Sequence, residues 1–257
     1  KVRMIGDPVA AVVAITEKAA IEGMNQVKVV YEELPSAITY EEALKDGAPQ
    51  VHDGKPNVFF EQPIIFGDIE KGFSEADVVA ERDFSTQIIE HGYLENDSGV
   101  AYIHENGQLV VMSGSQNIHQ HKNTIAAAVG IDPARVRMIQ SVTGGAFGGK
   151  LDVSVGGLLG MAAIALQRPV KLVFTREETF AVTTKRHAFY MKAKVGAKKD
   201  GTLTALQMDI LADGGAYKSF SNSVVTRGLV HSSGPYRFLN AKIMGKAVYT
   251  NSAIKGA

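Results

Sequence analysis

Four glycines in six residues, Gly144-Gly145-Ala146-Phe147-Gly148-Gly149, run directly into Lys150. The cluster lies between a strand-like run, Val136 to Val142, and an apolar helix-like run, Val155 to Leu166. Gly144 to Lys150 satisfies the G-x-x-x-x-G-K part of a phosphate-binding loop. Such a loop continues with Ser or Thr, whose hydroxyl ligates Mg²⁺, and Leu151 has no oxygen to offer. What survives is a glycine-dense turn ahead of a helix, where unpaired backbone N–H groups favour an anion and missing side chains let a ligand approach the backbone. Phe147, in the middle of the turn, would suit a flat cofactor. A tight packing turn between strand and helix remains an equally open reading.

Composition narrows the field. A chain of 257 residues, 45% of them hydrophobic, can bury a substantial core as one large or two smaller domains. Lys plus Arg balance Asp plus Glu at 27 each, so no bulk charge points to nucleic acid or an acidic membrane surface. The longest apolar stretch, Val153 to Leu166, is glycine-broken and too short to span a bilayer. The opening Lys1-Val2-Arg3-Met4 does not read as a secretion signal, which makes the cytoplasm the default location. With no cysteine, the chain has no disulfide, thiolate zinc site or cysteine-held iron–sulfur cluster.

Periodicity predicts an α+β chain. A β-α-β start is expected: a strand over Val9 to Ile15, Thr16 as N-cap, a helix from Glu17 to about Val27, and a strand over Lys28 to Tyr31 stopped by Pro35. The polar stretch Glu41 to Asn57 reads as a linker, placing a domain boundary near residue 58. Beyond it, strands are expected at Ile64 to Phe66 and Ala80 to Phe84. Asn106-Gly107, between Gly99 to Ile103 and Gln108 to Met112, marks a hairpin. A helix from about His119 to Ala128 precedes the strand that feeds the glycine turn. Met191 to Ala197 and Leu203 to Ala212 form a later meander around Asp200-Gly201. Helices and antiparallel strands mix without steady alternation, which argues against a doubly wound sheet.

Few other residues suggest chemistry. Gln116, just past the hairpin in Ser113-Gly114-Ser115-Gln116, can donate and accept at once, suiting either an oxo group or a turn cap. Arg227 could orient a carboxylate or carbonyl through paired hydrogen bonds, or sit in a surface salt bridge. His119-x-His121 places its rings apart on a helix with no third ligand at metal spacing, so no zinc site is read there. His91 and His187 stand alone.

The glycine turn resembles the Gly-Gly-x-Phe-Gly-Gly-Lys loop of the molybdenum-binding subunit of the xanthine dehydrogenase and aldehyde oxidoreductase family. Further stretches resemble that family in order: Gly6 to Ala14, Ser113 to Gln116, Gly234-Pro235-Tyr236-Arg237-Phe238-Leu239-Asn240, and Val248 to Asn251. The resemblance implies the latter part of an α/β hammerhead with its linker over residues 1–57, then the first half of a molybdopterin-binding domain over 58–257. It implies that Gln116, Gly145, Ala146, Phe147 and Gly148 meet a molybdenum–molybdopterin cofactor, with no direct protein ligand to the metal and the Lys150 side chain structural. Leu151 stands where purine-oxidising members carry a substrate-binding glutamate, and Arg227 matches their substrate-polarising arginine, nine residues before Tyr236. That pairing points to a less polar or carboxylated aromatic substrate.

The implied activity is hydroxylation of an aromatic N-heterocycle or an aldehyde with oxygen from water. Electrons then leave through iron–sulfur and FAD centres on other chains or segments. The family's general-base glutamate is expected beyond Ala257, so the chain reads as a fragment that would need the rest of its subunit to hold cofactor tightly. A phosphate- or nucleotide-binding protein using Gly144 to Lys150, and a non-catalytic assembly module, are the alternatives.

Overall fold

The computed structural model describes residues 1–257. In chain order the elements are α1 (Glu17–Met24), α2 (Tyr40–Ala43), β1 (Val58–Phe66), α3 (Ile69–Ser74), β2 (Val78–Ser85), β3 (Ser98–Ile103), β4 (Leu109–Ser113) and α4 (Ile118–Val129). A 3-10 turn at Pro133–Arg135 leads to β5 (Val136–Gln140), α5 (Gly156–Leu166), β6 (Val170–Val173), α6 (Arg176–Val182) and the short β7 (Lys185–Arg186). The chain ends with β8 (Phe189–Ala197), β9 (Leu203–Gly215), α7 (Ser221–His231), β10 (Asn240–Tyr249) and β11 (Lys255–Gly256). They form two compact units, residues 1–34 with 90–184 and residues 35–89 with 185–257.

The first unit is built on a four-stranded sheet of order β5-β4-β3-β6. The β3–β4 hairpin forms as its Asn-Gly turn predicts, with Gly99 opposite Ser113 and Ile103 opposite Leu109. β4 and β5 run parallel, joined by α4. Asn117 caps the start of α4 through Gln120 N–H, and Gly130 ends it in the left-handed conformation. Leu109, Val111, Ile125, Val136, Val155, Leu159 and Ala163 make the core beneath α4 and α5. Gly160 lets α5 lie close, since a Cβ there would meet Val129, Leu109 and Ile125 at 3.1–3.4 Å.

At the N-terminus, α1 forms with Thr16 accepting from Ala19 N–H, as expected. The flanking runs Val9 to Ile15 and Lys28 to Tyr31 enter no strand ladder, contrary to the expected β-α-β unit. Alternating apolar residues supply a strand's side chains but not its hydrogen-bond partner, and Val13, Ile15 and Val30 remain exposed.

The second unit carries a five-stranded sheet of order β1-β10-β9-β8-β2. Only β9 and β10 run parallel there, and α7 makes the crossover between them. Leu229 of α7 sits so close to the sheet that a Cβ on Gly245 would lie 2.8 Å from it. Leu206, Ile210, Val225, Leu229 and Ile243 form this core. The stretch read as a linker, Glu41 to Asn57, is instead folded into this unit. Asn57 accepts from Val51 N–H and donates to the Ala43 and Pro49 carbonyls, each at 3.0–3.1 Å. Polar, turn-rich sequence looks like a linker until its side chains are seen to satisfy its own backbone.

Candidate functional site

Gln116 and the glycine loop both follow the C-terminal ends of the parallel strands β4 and β5, and the Ser141 N–H extends that pairing to Ser113. The carboxyl end of a parallel pair is where open α/β sheets gather ligand-binding loops. The loop is held largely by its own backbone: Gly149 N–H donates to Ala146 O at 2.9 Å and Leu151 N–H to Gly148 O at 3.2 Å. The Gln116 side-chain oxygen accepts from both Gly148 and Lys150 N–H at 3.1 Å. Gly145, Phe147 and Gly148 all have positive φ, at 105°, 52° and 100°. For Phe147 that is a strained conformation, and its ring is 75% exposed.

These bonds divide the predicted cofactor residues. The N–H groups of Gly149 and Leu151 are spent inside the loop and those of Gly148 and Lys150 on Gln116, so buried Gly148 serves the loop's shape. The N–H groups of Gly145, Ala146 and Phe147 have no protein partner, and neither has the Gln116 amide nitrogen. Successive free N–H groups in a turn of this kind form an anion-binding nest. The loop is separated from α5 by Leu151 to Val155, so the free donors belong to the turn and not to the helix end expected from sequence.

Beneath the loop lies a segment that sequence reasoning passed over. Glu95 accepts a short hydrogen bond from Gly144 N–H through one carboxylate oxygen. Its other oxygen is 2.6 Å from Lys150 Nζ, in an ion pair that leaves the lysine side chain 2% exposed. A phosphate-binding lysine must be free to reach the ligand, so this pairing removes the nucleotide-loop reading. Lys150 Nζ also lies 4.6 Å from the centre of the Tyr93 ring. A Cβ on Gly145 would come within 2.9 Å of Tyr93, and one on Gly149 within 2.8 Å of His91. Tyr93 in turn donates to Asp97 at 2.5 Å, and burial with that carboxylate pushes its phenol up. No local pattern advertised this platform, because Glu95 meets Gly144 across 49 residues.

The remaining candidates are accounted for separately. Leu151 is half-buried, and its carbonyl accepts from His121 Nε2 at 3.0 Å. Burial pushes the His121 pKa down, so the ring is held neutral as a tether of the loop's exit. Arg227 is on α7 in the second unit, where it is exposed. A cavity of about 380 Å³ in that unit, lined by Tyr40, Phe84, Tyr190 and Asp209 among others, contains none of the predicted site residues. No helix is long and apolar enough to cross a membrane.

The profile of the family described as "Molybdopterin cofactor-binding domain" matches residues 51–257. The chain belongs to that family. Within it, the nicotinate dehydrogenase large molybdopterin subunit of Eubacterium barkeri is 39% identical over the whole chain, which spans 60% of that protein. The aldehyde oxidoreductase of Megalodesulfovibrio gigas is 36% identical, again over the whole chain but only 29% of its own length. The xanthine dehydrogenase of Emericella nidulans is 36% identical over 98% of the chain and 18% of its own length. Among solved structures, the Desulfovibrio gigas aldehyde oxidoreductase superposes with a TM-score of 0.92 over 95% of this chain and 27% of that one. The chain is thus a molybdopterin-binding part of a xanthine dehydrogenase and aldehyde oxidoreductase type subunit, and it spans less than two thirds of these relatives.

The molybdopterin-binding chemistry of the family fits the groups the loop leaves over. A flat, multiply hydrogen-bonding pterin bearing an anionic centre needs backbone donors, an amide that can reach an oxo group, and an exposed aromatic face. The unpartnered Gly145 to Phe147 N–H groups, the Gln116 amide nitrogen and the exposed Phe147 are groups of these kinds.

Proposed function

We propose that this chain supplies one wall of the cofactor site of a molybdenum hydroxylase that oxidises an aromatic N-heterocycle or an aldehyde. The observation that carries the reading is the set of unspent donors from Gly145 to Phe147 beside the exposed Phe147 ring and the free Gln116 amide nitrogen. When bound, the molybdenum–molybdopterin group would supply the redox and oxygen-transfer chemistry. The chain's own residues then bind and orient. Gly145, Ala146 and Phe147 donate backbone hydrogen bonds, Phe147 covers a flat face, and Gln116 donates its amide while its oxygen fixes the loop. Gly148 holds the turn that presents them.

Leu151 is the proposed apolar substrate contact, and Arg227 the proposed group that orients a substrate carboxylate or carbonyl. Each is proposed by itself: an apolar residue at position 151 suits a purine poorly, and an arginine suits a carboxylate such as that of a carboxylated aromatic ring, the class to which the substrate named in the E. barkeri relative belongs. Iron–sulfur and FAD centres on other chains or segments are the proposed electron acceptors, in the cytoplasm. The α/β hammerhead assignment is proposed for the segment around α1, and the first cofactor-binding domain for the residues from 58 onward.

The test is elemental and pterin analysis of the protein purified with its native partners from cells supplied with molybdate. About one molybdenum per chain is expected. An intact complex without molybdenum would overturn the proposal and favour a non-catalytic assembly module.

A further inference from the structure

One carboxylate closes the cofactor loop at both ends. Glu95 takes the N–H of Gly144, where the loop begins, and pairs with the ammonium of Lys150, where it ends. The same pair touches the segment leading to Gln116: a Cβ on Gly114 would lie 2.8 Å from the Glu95 carboxylate and 3.0 Å from Lys150 Nζ. Glu95 is itself fixed from behind. Arg176 donates to the carbonyls of Tyr93 and Leu94 at 2.9 and 2.6 Å, and Asp97 accepts from the Tyr93 hydroxyl.

We propose that Glu95 is a positioning residue for cofactor binding, its charge setting the loop conformation that points the Gly145 to Phe147 donors and the Phe147 ring outward. The proposal rests on the cofactor reading above. Removing one partner of a buried ion pair leaves the other desolvated and uncompensated, so the Lys150 end should leave its place when Glu95 is neutralised. Removing both charges together relieves that strain.

The experiment compares E95Q, E95Q/K150M and the unsubstituted protein by hydrogen exchange across residues 144–151, alongside molybdenum content. E95Q should raise exchange there by roughly tenfold or more, with the β3–β4 hairpin unchanged, and lower molybdenum content several-fold. E95Q/K150M should return exchange toward the starting value. Unchanged loop exchange in E95Q, or an equal rise throughout the first unit, would overturn the proposal. If E95Q does not fold, E95D reads the same quantity: its shorter reach should free one end of the loop, and protection at both ends would overturn the clamp. An unsubstituted protein with a protected loop but no molybdenum would defeat the cofactor reading and leave the clamp standing.

Discussion

Gln116 and Lys150 are bonded in both directions: Gln116 N–H donates to the Lys150 carbonyl at 2.9 Å, and Lys150 N–H donates to the Gln116 side-chain oxygen at 3.1 Å. Together with the bond from Gly148, this makes the amide oxygen structural and leaves only the amide nitrogen for a ligand. The two halves of one side chain can therefore be separated by substitution. Gln116→Glu keeps the acceptor and loses the donor, so its stability in urea should stay within about 0.5 kcal/mol of the parent while molybdenum content falls. Gln116→Ala loses both and should cost about 1–2 kcal/mol as well. Normal cofactor loading in Gln116→Glu would remove the amide nitrogen from the site.

Glycines in this chain are required for different reasons, and alanine separates them. Gly130 has φ 75° with nothing within 4 Å of a built Cβ, so Gly130→Ala meets backbone strain alone, about 1 kcal/mol. Gly145 has φ 105° and a Cβ there would sit 2.9 Å from Tyr93. Gly145→Ala adds overpacking to strain and should cost about 2–4 kcal/mol. Denaturant midpoints compare the two directly, and equal losses would refute the packing of the loop on Tyr93.

Much of the fold was legible because its signals are local. The hairpin at Asn106-Gly107, the Thr16 cap and the helix after the glycine turn each depend on residues a few positions apart. The candidate site was proposed from the glycine motif and its resemblance, and the structure brings Gln116 from that reading against Gly148 and Lys150 of the loop. What remained hidden is long-range. Periodicity could not say that Val9 to Ile15 lacks a strand partner, nor that Asn57 folds its polar neighbours into the second unit. Glu95 looked like any loop carboxylate until it was found against Lys150, and Lys150 resembled a phosphate ligand until its charge was found already paired.

A second buried pair organises the end of the chain. Lys255, fully buried, reaches Asp213 at 2.7 Å and Ser252 at 2.5 Å, while Asp213 also accepts from Thr250 at 2.7 Å and from Gly215 N–H at 3.0 Å. Burial pulls the Lys255 amine below the ordinary lysine range, only partly offset by Asp213. Lys255→Met leaves a carboxylate in the core without its cation and should lower stability by about 3–5 kcal/mol in urea unfolding. Lys255→Met with Asp213→Asn removes both charges and should recover part of that loss. A double variant no better than the single would show that the hydrogen bonds of Asp213, and not its charge, hold the segment.

His187 gives the second unit a specific response to acid. Its Nε2 is 2.7 Å from Ser221 Oγ in the core, and burial pushes its pKa from an ordinary 6.5 down to about 4. The unfolded chain therefore binds a proton below pH 6.5 that the folded ring refuses until about pH 4. This contribution is complete above 6.5, declines as pH falls through that window and levels off below 4. Its full size corresponds to roughly 3 kcal/mol. Carboxylates and His121 also titrate in or near this range, so the informative quantity is the difference between parent and His187→Gln, which keeps a polar group for Ser221 but cannot titrate. Urea unfolding from pH 7 to pH 4 should show a shallower loss in His187→Gln. Parallel profiles would mean that His187 accepts its proton without unfolding the core around it.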